Sequence, residues 1–434
     1  MFTAGRVVLL KFIDIFNFVL FVIFTVLYSY QAVYTAVALF SKYRKNKKEK
    51  HIAKTFHRYA VLVAARNEEA VIGELIKSIR NQTYPSELVD VFVIADNCSD
   101  HTAQAAKAAG ATVYVRNDIS LVGKGYALNF MLGKIKQSYA DKHYEGFFVF
   151  DADNILDENY IAEMNNVFDQ GYRVLTSYRN SKNYDYNWIT SGYALWFLHE
   201  AEYLNRPRME LNTSCAISGT GFLIHRDVIE ENGGWRHYLL TEDIEFSMSE
   251  VLKGEVIGYC GSAMLYDEQP ITFEQSWHQR MRWAKGFYQV LGKYGRDLLK
   301  GSIKNKKHKF SCYDMMMNIT PALLISLSSL FMNLMFFIAA SISPDIGYRV
   351  GHHALLAMFT SLLIYYLILF AMGMLTTITE WKKIHCTTLR KIWNLFMFPF
   401  FMFTYLPISV VALFKKVEWR PIAHTCVKSL EDVR

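Results

Sequence analysis

Pairs of carboxylates beside predicted elements are the first candidates for chemistry in this sequence. Asp151 and Asp153 come directly after the apolar run Phe147–Phe150, which has the composition of a buried strand. Two carboxylates at this spacing, at the carboxyl end of a parallel strand, can bind a hard divalent cation that also holds phosphate oxygens. Glu242 and Asp243 open a predicted helix, where an acidic residue either favours the helix dipole or serves as a general base. The residues alone leave both interpretations of Asp243 open.

Polar residues at other strand ends form a second group of candidates. Asp96 ends a predicted strand, where its carboxylate can accept a hydrogen bond from a uracil imide, whereas Asp100 is expected to cap the next helix. Asn67 and Glu68 precede a helix whose amide end favours phosphate or ribose groups, although Glu68 could simply cap that helix. Lys124, between two glycines, adds a cation near a tight turn. Each signal is weak alone, and the shared position at strand ends makes these residues candidates.

A third group lies on a predicted amphipathic helix, Phe273–Val290. Gln279, Arg282 and Trp283 occupy one segment of it. Arg282 can neutralise a departing diphosphate, and Trp283 can stack on a sugar ring. The alternative is an interfacial helix that uses Trp and Arg as membrane anchors.

The elements that would position these residues alternate between strands and helices. We predict strands over Tyr59–Ala65, Val89–Ala95, Ala111–Val115 and Phe147–Phe150, and helices over Glu68–Gln82, Asp100–Ala109 and Gly125–Gln137. This alternation predicts an α/β domain with a mostly parallel central sheet covered by helices.

Long apolar runs flank this domain, in a chain that is 52% hydrophobic. Phe12–Phe40 is long enough to span a bilayer and carries a basic block at its carboxyl end, which predicts that the following domain is cytoplasmic. Met315–Ile342 and Ala354–Thr379 predict a transmembrane hairpin around the polar turn at Pro344 and Asp345. The last run, Ile392–Phe414, contains two prolines and favours a broken interfacial or re-entrant helix.

Charge and cysteine content exclude other classes of protein. The net charge of +7 comes from basic blocks that border apolar runs, without a recognisable nucleic-acid-binding module, so we expect no nucleic-acid partner. The six cysteines show neither a CxxC pair nor metal-ligand spacing, which predicts reduced thiols.

With these residues in order, the chain resembles glycosyltransferase family 2, especially its membrane-integrated branch of cellulose, chitin, hyaluronan and poly-N-acetylglucosamine synthases. The resemblance covers about Tyr59 to Val290 and implies a GT-A-type nucleotide-sugar-binding fold. It implies donor-binding roles for Asn67, Glu68, Asp96, Lys124, Asp151, Gln279 and Arg282, metal-binding roles for Asp151 and Asp153, catalytic roles for Asp243 as base and its neighbour Glu242, and acceptor-binding roles for Trp283, Gly219 and Thr220. One departure is that Ala95 stands where many members carry an aspartate.

The resemblance also implies a reaction. We expect direct displacement at the anomeric carbon of a UDP-sugar, UDP-N-acetylglucosamine or UDP-glucose, with Mg²⁺ or Mn²⁺ as cofactor and a β-linked product. The favoured product is a growing polysaccharide. The alternatives are a glycolipid synthase that adds one or a few sugars to a lipid, and a non-catalytic membrane component that binds nucleotide or glycan.

The expected organisation has four parts: a transmembrane helix and basic linker (1–58), the cytoplasmic GT-A domain (59–294), a basic linker and transmembrane hairpin (295–391), and an interfacial helix with a tail (392–434). In cellulose synthases a gating loop folds over bound nucleotide, and residues 417–425 resemble it. We expect location in the plasma membrane among its lipids, and a homo-oligomer or accessory subunit remains open.

Overall fold

The fold was obtained as a computed structural model, which describes residues 2–44, 51–305, 307–320, 322–343, 346–418, 422 and 424–433. Several sequence-based expectations fall on residues outside these ranges: part of the basic linker after the first helix, the turn at Pro344 and Asp345, and residues 419–421 and 423 of the tail.

An eight-stranded sheet forms the centre of the α/β domain. Its strands are β1 (Tyr59–Ala65), β2 (Val89–Asp96), β3 (Thr112–Arg116), β4 (Gly146–Asp151), β5 (Ile155–Leu156), β6 (Val174–Ser181), β7 (Phe222–His225) and β8 (Gly258–Asp267). They lie in the order β3-β2-β1-β4-β7-β6-β8-β5. The first four are mutually parallel, and β6 is parallel to β8, whereas β7 is antiparallel to both neighbours and β5 is antiparallel to β8. The parallel half matches the prediction, and the other half is mixed.

Helices cover both faces of the sheet, because alternate residues of each central strand point to opposite faces. On β1, Val61 and Val63 enter one apolar core, and Ala60 and Leu62 enter the other. The helices of this domain are α3 (Ile72–Arg80), α4 (Thr102–Ala108), α5 (Lys124–Ser138), α6 (Tyr160–Phe168), α7 (Trp188–His199), a π-helical segment (Glu200–Asn205), α8 (Arg206–Glu210), α9 (Arg226–Glu231), α10 (Glu242–Lys253) and α11 (Phe273–Lys304). Helix α11 therefore continues beyond Tyr294, the expected end of the domain.

The remaining helices lie before and after this domain in the sequence, and most of them are apolar. They are α1 (Phe2–Tyr28), α2 (Tyr30–Arg44), α12 (Lys309–Ile319), α13 (Ala322–Ile342), α14 (Tyr348–Thr379), α15 (Thr388–Phe403) and α16 (Tyr405–Phe414). By length and composition, Gly5–Lys42, Tyr348–Thr379 and Thr388–Phe414 could each cross a membrane, and Leu327–Ile342 is a shorter apolar helix. Polar side chains join α1 to the hairpin: Ser329 Oγ donates to Asn17 Oδ1 at 2.7 Å, and Asp14 lies 2.7 Å from the His353 ring.

The last apolar run is broken where α11 contacts it. Arg280, fully buried on α11, donates from Nη1 to the Phe401 carbonyl at 3.1 Å and to Thr404 Oγ1 at 2.6 Å. Thr404 separates α15 from α16, and Pro407 removes a backbone donor in the next turn. The break agrees with the expectation of a discontinuous helix, and its interfacial placement stays a prediction.

Two buried polar junctions join the apolar helices to the α/β domain. The Arg208 guanidinium donates to both oxygens of Asp314 on α12, at 2.7 and 3.0 Å, and Tyr34 of α2 donates to Asp314 at 2.7 Å. At the end of α14, Glu380 accepts hydrogen bonds from Lys42 of α2 and from Tyr178 of β6. These contacts fix the α/β domain against α2, α12 and α14.

Candidate active site

One cavity of about 580 Å³ extends from the carboxyl ends of the parallel strands to the membrane helices. Its strand-end lining is polar, and its other end is apolar. The polar lining includes Glu68, Asp96, Lys124, Asp151, Asp153, Gly219, Glu242, Asp243, Gln279, Arg282 and His424, and the apolar lining includes Phe24, Leu330, Ile368, Leu369, Met372, Phe403 and Leu406. Residues far apart in the sequence thus share one site.

The Gly219 backbone connects three predicted site residues. Its N–H donates to Asp243 Oδ2 at 2.6 Å, and its carbonyl accepts from Lys124 Nζ at 2.8 Å. The same ammonium group pairs with the Asp151 carboxylate. Gly219 has a φ of +78°, a conformation that glycine adopts readily, and this conformation directs both backbone groups into the site.

Thr220 lies next to this loop but is buried rather than part of the cavity wall. Its hydroxyl accepts a hydrogen bond from the Asp151 backbone N–H at 2.9 Å and donates to Asn154. The structure therefore places Thr220 as a support for the loop that carries Asp151 and Asp153.

The C-terminal tail closes one side of the site. Asp153 is buried and accepts from the Glu268 N–H at 2.8 Å, and the Glu268 carboxylate in turn accepts from the backbone N–H groups of Thr425 and Cys426, both at 3.0 Å. His424 Nδ1 lies 2.9 Å from a Glu68 oxygen. The side chain of Glu68 thus contacts the tail instead of capping α3.

The pKa values of Glu68 and His424, which meet where the tail contacts the site, differ strongly from their usual values. Burial raises the pKa of Glu68 to about 7, partly offset by its hydrogen bond with His424. Burial alone would lower the pKa of the His424 ring, but Asp153, Glu68 and Glu268 outweigh it and raise that pKa to about 10. A protonated His424 therefore stands beside three carboxylates.

Glu242 and Asp243 begin α10 and line the polar part of the cavity. Burial and the charge of Asp243 raise the pKa of Glu242 to about 7, and burial also raises the pKa of Asp243. The hydroxyl of Thr241, the residue at the N-cap position of α10, is buried and has no hydrogen-bond partner among the described residues. An acid with a raised pKa and an ordered contact to Gly219 has the properties of a general base.

The α11 residues border the same cavity. Arg282 Nη1 donates to the Leu240 carbonyl at 3.1 Å, just before the loop that leads into α10. Trp283 contacts Tyr193 edge-on, with ring centroids 5.7 Å apart. The Gln279 Oε1 atom is buried and has no partner among the described residues, so a bound ligand could supply the missing donor.

Two predicted donor-binding residues are engaged in local contacts. Asp96, 6% exposed, borders the cavity but accepts from Arg116 Nη1 at 2.5 Å. Asn67 is not part of the cavity lining, and its Oδ1 accepts from the Ser99 backbone N–H at 2.8 Å. Asp100 accepts from the Thr102 N–H at 3.1 Å at the start of α4, although His101, and not Asp100, occupies the N-cap position of that helix.

Several cavity residues had no assigned role from the sequence. Arg179 at the end of β6 forms an ion pair with Asp267 at the end of β8. Glu268 follows directly after β8, and Glu200 begins the π-helical segment. Asp267 and Glu268 lie at the end of a strand, and the same position led to the prediction of Asp96 and Asp151. Recognition of β8 in the sequence would therefore have predicted Asp267 and Glu268 as well.

A divalent cation fits the chemistry of this site through two carboxylates. Asp151 and Asp153 face the cavity from the end of β4, although within the described ranges no group of three or more His, Cys, Asp or Glu side chains forms a complete cation site. Mg²⁺ and related ions commonly use one or two carboxylates together with substrate phosphates and water. The residues present therefore suit a cation that arrives with a diphosphate.

A family model described as "Glycosyltransferase like family 2" matches residues 57–286, more than half of the chain. The chain belongs to glycosyltransferase family 2. This match confirms the predicted family and enzyme class. A mannosyltransferase of Pyrobaculum calidifontis, solved with GDP-Man and Mn²⁺, superposes with a TM-score of 0.52 at 15% identity, covering 93% of this family 2 chain and 99% of the other. At this identity the likeness shows the fold, and it agrees with the predicted GT-A-type class.

Relatives of this family 2 glycosyltransferase have different described products. A probable glycosyltransferase of Bacillus subtilis is 26% identical, covering 63% of each chain. A beta-monoglucosyldiacylglycerol synthase of Trichormus variabilis is 28% identical over 68% of this chain and 59% of its own length. A poly-beta-1,6-N-acetyl-D-glucosamine synthase of Staphylococcus aureus is 26% identical over 64% of this chain and 66% of its own length. The chain thus spans about three-fifths of the first two relatives.

Proposed function

We propose that this protein is a membrane-bound, inverting glycosyltransferase that transfers a sugar from a UDP-sugar to a hydroxyl group of a lipid-linked acceptor, forming a β-linkage. The observation that carries the proposal is the single cavity in which Asp243, Lys124 and Asp151 lie at one end and aliphatic side chains of the membrane helices lie at the other. An amphiphilic acceptor matches both ends of this cavity.

The residues divide the reaction among them. Asp243, held by the Gly219 N–H, takes the proton from the acceptor hydroxyl as that oxygen attacks the anomeric carbon. Lys124 and Arg282 stabilise the negative charge of the departing diphosphate. Asp151 and Asp153 would hold a divalent cation, Mg²⁺ or Mn²⁺, which supplies further charge neutralisation when bound. Gln279, whose buried oxygen lacks a described donor, contacts the bound donor or acceptor.

The tail supports a donor-binding role for the polar end. His424 and the Glu268-bound backbone of residues 425 and 426 lie beside Asp153 and Glu68. In this arrangement the tail covers the place proposed for the diphosphate. This is the position expected from its resemblance to a gating loop.

The second candidate is the polysaccharide synthase favoured by the sequence. Three aromatic side chains of the cavity lining favour it because sugars stack on such rings: Trp196, Phe197 and Trp283. A lipid acceptor is favoured over a polymer by the aliphatic lining contributed by α13 and α14, where a sugar chain would find few hydrogen-bonding groups.

The decisive experiment measures product size. The purified protein, in lipid nanodiscs containing diacylglycerol and glycolipid, is incubated with radiolabelled UDP-glucose or UDP-N-acetylglucosamine and with Mg²⁺, Mn²⁺ or EDTA. We expect metal-dependent labelling of a lipid-soluble product carrying one or a few sugars. A large water-soluble product would support the polysaccharide synthase, and no UDP release with any donor would contradict both enzymatic functions.

The proposal also includes the side of the membrane on which the catalytic domain lies. The basic residues after α2, and those between α11 and α12, favour a cytoplasmic catalytic domain in the plasma membrane. Protease protection in sealed inside-out vesicles tests it, because a cytoplasmic domain would be digested without detergent.

A further inference from the structure

A carboxylate lines the cavity on a helical face that also carries an aromatic ring, an aliphatic side chain and an arginine. Helix α7 and the elements that follow it present Trp196, Glu200, Leu204 and Arg208 to the cavity at four-residue intervals. In an α-helix with about 3.6 residues per turn this spacing drifts around the axis, and the wider π-helical turn at Glu200–Asn205 offsets the drift. The π segment thus keeps Glu200 on the cavity side.

The charges around Glu200 are already committed to other partners. Arg179 pairs with Asp267, and Arg208 pairs with Asp314. Within the part of the chain that the structure describes, no ion pair includes Glu200. Burial raises the pKa of Glu200, and the nearby Arg179, Arg208 and Ser218 oppose that shift. A carboxylate has about four acceptor positions, and among the described residues no side chain pairs with Glu200 as a salt-bridge partner, so these positions are open to a ligand.

Glu200 lines the same cavity as the proposed base, and the charge of Asp243 is among the causes that raise the pKa of Glu200. The Gly219 N–H that binds Asp243 belongs to the same cavity wall. Leu204 and residues of α13 and α14 also line this cavity. An amphiphile whose reacting hydroxyl is at Asp243, and whose hydrocarbon chain reaches those helices, has the rest of its headgroup within the cavity that Glu200 lines.

We infer that Glu200 is an acceptor-binding residue that accepts hydrogen bonds from additional hydroxyl groups of the headgroup. The acceptor is therefore an amphiphile with a sugar or other polyol head, because a carboxylate repels the ester oxygens that surround the lone hydroxyl of diacylglycerol. Trp196, four residues earlier on the same face, provides a ring on which such a sugar head can stack. This inference rests on the proposed function.

The test compares two acceptors that share one hydrocarbon chain: dodecanol, with a single hydroxyl, and dodecyl β-glucoside, with a sugar head. Transfer from labelled UDP-glucose or UDP-N-acetylglucosamine is measured for the wild type and for Glu200→Gln. We expect the wild type to favour the glucoside by about ten-fold or more in kcat/KM. We expect Glu200→Gln to raise KM for the glucoside by a similar factor while leaving KM for the donor unchanged.

Glu202→Gln is the matched control. Glu202 lies in the same π segment, but it pairs with Arg206 and Lys383 and is not part of the cavity lining. We expect this variant to lower thermal stability and to keep the wild-type acceptor preference. A loss of preference in both variants would mean that the segment has a structural role only, which would overturn the inference.

The outcomes separate this inference from the function on which it rests. Equal transfer to both acceptors by the wild type would refute the role of Glu200 and leave the lipid-linked transferase intact. Transfer to neither amphiphile, with labelled polymer formed instead, would refute the lipid acceptor itself. The wild-type comparison needs no variant, so a poorly folding Glu200→Gln protein would not remove the test.

Discussion

The role of Asp243 as the general base leads to a sharp prediction for Asp243→Asn. The substituted amide keeps the size of the side chain, and its oxygen can still accept the hydrogen bond that Gly219 donates at 2.6 Å. The amide cannot take a proton from the acceptor. The change therefore removes the proposed chemistry while keeping the loop that also positions the Lys124 ammonium group.

The expected loss of kcat in Asp243→Asn follows from the rate enhancement that a positioned general base contributes. General-base catalysis is worth about 10²- to 10⁴-fold in rate, or roughly 3–5 kcal/mol in the transition-state barrier. We expect kcat for transfer to fall by this factor. Binding of UDP should change by less than about three-fold, because none of the groups proposed to contact the diphosphate is altered.

Two measurements on the same preparation test this prediction. Transfer to dodecyl β-glucoside or to lipid in nanodiscs gives kcat, and isothermal titration calorimetry gives UDP affinity. Asp297→Asn is the matched control, since Asp297 is an exposed carboxylate on α11 outside the cavity lining, and it should be unaffected in both assays. Near-normal turnover by Asp243→Asn would refute the assignment, and a comparable loss of UDP affinity would indicate a structural role.

Three further predictions concern charge. The charge of Asp243 helps to raise the pKa of Glu242 to about 7, and this interaction acts in both directions. The variant Glu242→Gln removes one of the two charges, so it should lower the pKa of Asp243 and shift the acid limb of the pH profile of kcat/KM to lower pH. An acid limb at the wild-type pH would contradict this coupling. Arg282→Ala should lower kcat by about 10²-fold or more with little change in thermal stability, measured by transfer assay and thermal melting, because it removes charge stabilisation at the leaving group. Asp314→Asn should lower the free energy of unfolding by about 3–5 kcal/mol, because it leaves the buried Arg208 guanidinium without its charged partner. This loss should appear as a lower apparent Tm in detergent. The control variant Asp14→Asn, which removes a more exposed pair, should change Tm much less.

The first half of the sheet could be predicted because each strand carries its own signal. Strand β1 has the predicted bounds, and Asp151 ends β4 directly after the predicted apolar run, since buried parallel strands are continuous apolar runs bounded by polar residues. The second half lacks such runs. Strand β8 contains glycine and serine, and its pairing with β6 is interrupted by a register shift after Ser177, so local pattern does not reveal it.

The site was predictable where its residues follow strands or open helices, and it was not predictable where the residues meet only in the folded chain. His424 contacts Glu68 across 356 positions of sequence, and no local pattern carries that information. Glu200 was hidden for another reason. Helix α7 is buried on nearly all sides, so its apolar pattern shows no face, and the π segment cannot be recognised from spacing.

The buried Arg208–Asp314 ion pair also bears on how the chain is made. Arg208 leaves the ribosome 106 residues before its partner, which at about 5–20 residues per second corresponds to roughly 5–20 s of synthesis. During that interval the guanidinium that will be buried under the catalytic domain has no carboxylate to neutralise it. We expect the nascent catalytic domain to remain open around Arg208 until α12 emerges, so that the start of the membrane hairpin completes the folding of the enzyme.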